Sequence, residues 1–207
     1  MSTDQHNVRQ HILDTGKAII TGKGYSAVGL TEILAAAGVP KGSFYHYFKS
    51  KELFGEALLN DYVSNYLADL DAMLAADGTP AAVRLMRYWN SWLAQSPDEC
   101  GGCKCLVVKL SGEVADMSEA MRGALLQGTN QIVGRLADCI EQGQADGSIG
   151  AAAPAQHTAL ALYEMWLGAA LLTKLRREPS ALHGATRTTR TLLGLTADES
   201  NHAGSAD

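Results

Sequence analysis

The chain of 207 residues has little proline, little cysteine and no long apolar run. Each of its five prolines, Pro40, Pro80, Pro97, Pro154 and Pro179, falls at a break between helical runs, where a residue that cannot donate to a helix does least harm. Four cysteines read as thiols in a reducing compartment rather than as a disulfide framework. No stretch approaches the ~20 apolar residues that span a bilayer, and the opening MSTDQHNVRQHIL lacks the basic start and apolar core of a secretory signal. Strand-like alternation and internal repeats are also missing. Together these absences predict a cytoplasmic, all-α protein with no membrane segment.

Charge separates along the chain. A net charge of −5 argues at first against a nucleic-acid partner, but Lys41, Lys49 and Lys51 occur within residues 37–51 with no acid among them. A small basic patch on an acidic body suits a specific DNA binder with few phosphate contacts. The same stretch carries the strongest pattern in the chain, TEILAAAGVPKGSFYHYFKSKELF from Thr31 to Phe54. Ile33, Leu34 and Ala37 recur at helical spacing, and Gly38 ends that run because glycine takes a left-handed cap without penalty. Pro40 and Gly42 restart the chain in a new direction. The next run, Ser43–Phe48, is far shorter than the roughly 12–15 residues an isolated helix needs. It must be held from behind, with Phe44 and Phe48 as core. Two short helices and a tight turn make a helix-turn-helix, whose second helix enters the DNA major groove.

AAGVPKGSFYHYFKSKELF resembles the helix-turn-helix of TetR-family transcriptional repressors, and the similarity covers about the first 55 residues. It implies an all-α homodimer with an N-terminal three-helix DNA-binding domain (residues 1–52), a C-terminal helical effector-binding and dimerisation domain (53–196) and a flexible tail (197–207). The partner is a double-stranded, pseudo-palindromic DNA operator. The resemblance places Thr31, Lys41, Ser43, Tyr45, His46, Tyr47 and Lys51 where family members touch DNA, with Gly42 at the start of the reading helix. The chemistry agrees: lysine and tyrosine bond phosphates, serine reaches a base or a phosphate, and a ring contacts a thymine methyl. Tyr47 departs from the histidine common in the family.

Upstream, a first helix over Gln5–Gly22 is expected, with Val8, Ile12, Ala18 and Ile19 on one face. Downstream, Ser50 is a good N-cap for a long helix with Leu53, Ala57, Leu58, Tyr62, Tyr66, Leu67 and Leu70 on its inner stripe. Further helices are expected up to Gln95, over Cys103–Ala115, over Met117–Gln144 with Asp116 or Ser118 as cap, over Ala155–Arg177 and over Ala181–Leu195. Trp89, Trp92, Tyr163 and Trp166 are candidates to line an effector cavity, or plain core. Gly168, Ala169 and Ala170 permit close packing on the helix that the family uses for dimerisation.

Cys100-Gly-Gly-Cys103-Lys-Cys105 has no second cysteine pair, so no metal site is expected. Cys105 stands near the start of a helical run beside Lys104, with Lys109 four residues on, and cations and a helix start favour the reactive thiolate. CLVVKLSGEVADMSEAMR (Cys105–Arg122) and LYEMWLGAALLTKL (Leu162–Leu175) are similar to electrophile-sensing members of the same family. That resemblance implies Cys105 as sensor and Lys174 as its partner, with Cys100 and Cys103 as possible second thiols. The resulting expectation is a repressor, without cofactor, released from its operator when electrophiles or oxidants modify Cys105. One rival is induction by a non-covalent apolar ligand in the aromatic cavity. The other is a cysteine-dependent enzyme, but His157, His183 and His202 show no orienting partner for such a nucleophile.

Overall fold

A computed structural model describes residues 3–94, 106–151 and 153–195. Among the described residues every regular element is a helix: α1 Thr3–Lys23, α2 Leu30–Ala37, α3 Lys41–Tyr47, α4 Lys51–Leu74, α5 Ala81–Leu93, α6 Leu106–Met117, α7 Glu119–Asp146, α8 Ala155–Arg176 and α9 Ser180–Leu192. No helix among them is long and apolar enough to cross a membrane. They fall into two compact units, one drawn from Met1–Asp69 and Asp98–Ile132, the other from Leu70–Pro97 and Val133–Asp207.

In the first unit α1 packs on α2 and α3. Ile12, Leu13 and Ile20 are fully buried or nearly so, whereas Val8 is 37% exposed and Ala18 faces solvent. The inner stripe is therefore rotated from the expected one, because tertiary contacts select one of two faces that a weakly amphipathic helix offers. In α4 the expected stripe holds at Leu58, Tyr62, Leu67 and Leu70, which are buried, but at its start Phe54 is buried in place of Leu53, which is 43% exposed, one residue being about 100° of helical rotation. Ser50 caps α4 as expected, its Oγ accepting the Leu53 amide at 3.1 Å. Ser118, not Asp116, caps α7: its Oγ accepts the Met121 amide at 3.2 Å and donates to Glu52 Oε1 at 2.6 Å.

The second unit is built around α5, α8 and α9. Trp89 and Trp166 are fully buried and stack with centroids 4.8 Å apart, and Trp166 Nε1 donates to the buried Thr189 hydroxyl on α9 at 2.8 Å. Arg84, only 5% exposed, donates to the Leu74 carbonyl and to Gln142 Oε1. The start of α5 has no cap of its own, since Pro80 offers none. The end of α7 supplies it from afar: Asp146 Oδ2 accepts the Ala81 amide at 2.9 Å and Ser148 Oγ the Ala82 amide at 3.1 Å.

Those bonds hold the Asp146 carboxyl below its ordinary value, hydrogen bonds from Ser148 being the largest cause and the Ala81 amide the next. A depressed carboxyl stabilises the fold above the unfolded-state value of 3.8 and loses that contribution as pH falls through the folded value. Asp146→Asn should therefore cost stability at pH 7 and less below pH 3.8, as read by thermal melts across pH. Ser148→Ala should cost about 1 kcal/mol at pH 7, the usual loss of an N-cap acceptor, and because its hydroxyl is the largest cause of the Asp146 shift, part of that cost should also fade below pH 3.8.

Candidate nucleic-acid interface

The turn between α2 and α3 forms as its residue types require. Gly38 takes φ 64°, ψ 29°, and the Gly38 and Val39 amides return to the Ala35 and Leu34 carbonyls. Pro40 then opens α3, its carbonyl accepting the Ser43 amide at 2.9 Å. His11 on α1 donates through Nε2–H to the Ala37 carbonyl at 3.0 Å, which ties the end of α2 to α1. α3 has only seven residues and is anchored by aromatic rings beneath it. Phe44 is fully buried, with the rings of Phe48 and Phe54 at 5.3 and 5.5 Å. Phe48, 3% exposed, also carries the Arg9 guanidinium 5.3 Å over its ring.

With those two rings inward, the other face of α3 is turned to solvent. Lys41, Gly42, Tyr45 and His46 are exposed, and Ser43 and Tyr47 are partly so. Lys41 Nζ lies 5.8 Å from the Tyr45 ring, and His46 and Tyr47 meet edge to face at 4.8 Å. Thr31, in the first turn of α2, is also exposed. The surface therefore offers one cation, two phenols, an imidazole and two hydroxyls, the groups that bond phosphates and base edges. Among the described residues nothing lies within 4 Å of where a Cβ on Gly42 would stand, so their packing does not require that glycine.

Lys51 is placed differently. Its ammonium donates to the Tyr25 carbonyl at 3.0 Å and sits 4.4 Å over the Tyr25 ring, while the Tyr25 hydroxyl donates to the Lys51 carbonyl at 2.7 Å. Glu113 on α6 closes the group by accepting the amides of Tyr25 at 3.0 Å and Ser26 at 2.5 Å. Burial, with Glu52 and Glu113 nearby, pushes the Tyr25 phenol up to about 12. Burial lowers Lys51 from its ordinary value against the opposing pull of Glu113. Burial would raise Glu113, but hydrogen bonds from Ser26 and Tyr25 and the Lys51 charge outweigh it, so its carboxyl is held low. Sequence reasoning missed Glu113, and no local pattern marks a carboxylate 88 positions from the amide it holds.

Of the residues expected to act as sensor, Cys100, Cys103 and Cys105 lie outside the described residues. Lys174 is half-buried in the last turn of α8. Cys139 is buried, its thiol directed at the Ala81 carbonyl at 3.6 Å and pushed up by burial. Trp89, Trp92, Tyr163 and Trp166 are all buried, and the three indoles touch one another at centroid distances of 4.8–6.1 Å. Trp89 Nε1 has no hydrogen-bond partner among the described residues. No group of three or more metal-binding side chains occurs among the described residues.

A short helix held by buried rings behind a glycine-ended partner, with cationic and phenolic groups outward, defines a helix-turn-helix DNA-binding protein. Residues 12–58 match the family described as bacterial regulatory proteins, tetR family, and residues 80–189 match the tetracyclin repressor-like C-terminal domain. The chain belongs to the TetR family and is a DNA-binding transcriptional repressor. It is 36% identical over 181 residues to the HTH-type transcriptional repressor NemR of Escherichia coli K12, covering 87% of this chain and 91% of that one. It is also 36% identical over 186 residues to the transcriptional regulator AcuR of Cereibacter sphaeroides, covering 89% and 84%. The crystal structure of E. coli NemR in its reduced form superposes with a TM-score of 0.87 at 35% identity, over 93% of this chain and all of that one.

Lys41→Ala should weaken binding to every duplex and reduce the slope of log affinity against log salt by about 0.9, as for one lost phosphate contact. Gly42→Val should leave the thermal melt close to wild type yet abolish specific binding, because the new side chain occupies the face that must approach DNA. Fluorescence anisotropy over a salt series checks both.

Proposed function

We propose that this repressor is released from a pseudo-palindromic operator when an electrophile or oxidant modifies Cys105, with residues 1–52 reading DNA and residues 53–196 regulating and dimerising. The observation that carries the reading is one of connectivity. Cys105 directly precedes Leu106, the first residue of α6, and α6 bonds to the α1–α2 turn of its own unit through Lys109 and Glu113. A covalent change at Cys105 is thus one helix away from the elements that position α3. The similarity to NemR, whose matching structure is of a reduced form, supports the same reading. Lys104 and Lys109 lie beside Cys105 in sequence, and neighbouring cations raise the thiolate fraction that does the attacking. Cys139, buried and shifted upward, should react more slowly.

A dimer follows from the two-sidedness of α8. One face buries Leu162, Tyr163, Trp166, Ala169, Ala170 and Thr173 inside the chain. The opposite face leaves Leu160, Leu171, Leu172 and Leu175 between 40% and 71% exposed, together with Gly168. A helix apolar all round is a buried helix, so the outer face is assigned to a second copy. The close packing that Ala169 and Ala170 permit is made within the chain, where both are buried. Leu175→Glu should convert the dimer to a monomer by sedimentation and abolish binding to a two-half-site duplex. A wild-type monomer at micromolar concentration would contradict the assignment.

The unpartnered Trp89 Nε1 favours a second reading, in which a non-covalent ligand with a hydrogen-bond acceptor enters the aromatic cluster. Cys105→Ser separates the two. On the thiol reading this variant folds, dimerises and binds DNA, but N-ethylmaleimide does not release it, whereas wild type is released. Lys174→Ala should respond less to oxidants than to alkylators. Equal release of wild type and Cys105→Ser by N-ethylmaleimide would leave the cavity reading in place.

A further inference from the structure

The α1–α2 turn is gripped by side chains from two elements, α6 and the start of α4. On α6, Lys109, Glu113 and Met117 follow one another at four-residue intervals and so share a helix face. Lys109 Nζ donates to the Gly22 carbonyl at 3.2 Å, Glu113 accepts the Tyr25 and Ser26 amides, and Ser26 Oγ donates to Met117 Sδ at 3.1 Å. From α4, Lys51 and Tyr25 exchange hydrogen bonds in both directions, with the ammonium on the ring. Gly24 lets the turn come this close: its φ is +92°, and a Cβ there would stand 3.3 Å from Glu113 Oε2.

Two consequences follow from this geometry. The Lys51 ammonium already donates to a carbonyl and lies over a ring, contacts that hold it at the α1–α2 turn. The Glu113 carboxylate, an acid in the same unit as a DNA-reading helix, would weaken DNA binding if only its charge mattered.

We propose that Lys51 and Glu113 are positioning residues for DNA recognition, clamping the α1–α2 turn between α4 and α6 so that α1 and α2 present α3 correctly, and that Lys51 neutralises no phosphate. The inference rests on the DNA-reading role of α3 and is independent of the thiol switch. It reverses the expectation from sequence, in which Lys51 was a DNA contact.

The test uses full-length protein, a duplex selected from a random pool by wild type, and a scrambled duplex of equal length, over a salt series. Glu113→Gln keeps the shape but loses the charged acceptor. It should lower affinity for the selected duplex about tenfold while binding the scrambled duplex as well as wild type or slightly better. Long-range electrostatics alone would predict a gain on both. Lys51→Met should weaken selected-duplex binding with no change in salt slope, whereas Lys41→Met should lower the slope by about 0.9. The Lys51→Met, Glu113→Gln double variant should lose less than the sum of the two losses, because both act on one turn. A slope lowered by about one in Lys51→Met would overturn the proposal, as would wild-type affinity of Glu113→Gln for the selected duplex. Should Lys51→Met fail to fold by circular dichroism, Glu113→Gln decides alone. Failure of wild type to select any duplex would overturn the recognition role and this proposal with it.

Discussion

Burial of Phe44 is the constraint on which the recognition surface depends. A helix of seven residues has no independent stability in water, and α3 persists because Phe44 is removed from solvent between Phe48 and Phe54. Ring contacts of this kind add to the area they bury. With Phe44 and Phe48 inward, helical geometry leaves Lys41, Gly42, Tyr45 and His46 outward. The outward face, proposed to read DNA, is thus the complement of the aromatic face and depends on it.

The surrounding polar bonds specify where this small element stands. The His11 bond to the Ala37 carbonyl fixes the end of α2, and the Tyr25–Lys51–Glu113 group fixes the turn before it. In the second unit the same logic appears in a drier setting, with the Trp166 indole satisfied by the Thr189 hydroxyl and the two terminal nitrogens of Arg84 donating to the Leu74 carbonyl and Gln142. Partly buried hydrogen-bonded groups of this kind are costly to leave unpaired, which makes them good devices for fixing one arrangement.

What could be read from sequence was local. Gly38, Pro40 and Ser50 act within a few residues of themselves, and a turn or a cap needs little else. Phe44 and Phe48 were legible as core because a run so short and aromatic must be held from behind. The inner stripes of α1 and α4 were less so: Val8, Ala18 and Leu53 fit a helical period yet face outward. What could not be read was distant in the chain. Asp146 and Ser148 cap a helix about 65 residues before them, and Glu113 holds amides 88 and 87 residues away. The bonds of Lys51 were hidden for the same reason, since a lysine after a recognition helix gives no local sign of having found a carbonyl and a ring. The candidate sensor thiols were singled out by their cationic neighbours and by resemblance, and they lie outside the described residues.

The claim that the recognition helix exists by virtue of its buried ring is open to direct measurement. Amide hydrogen exchange of α3 should be followed in wild type, Phe44→Ala and Tyr45→Ala. Removing the buried ring should abolish protection of the α3 amides while those of α8 and α9 keep theirs. Removing the exposed Tyr45 ring should leave α3 protected. Native protection of α3 in Phe44→Ala would contradict the account.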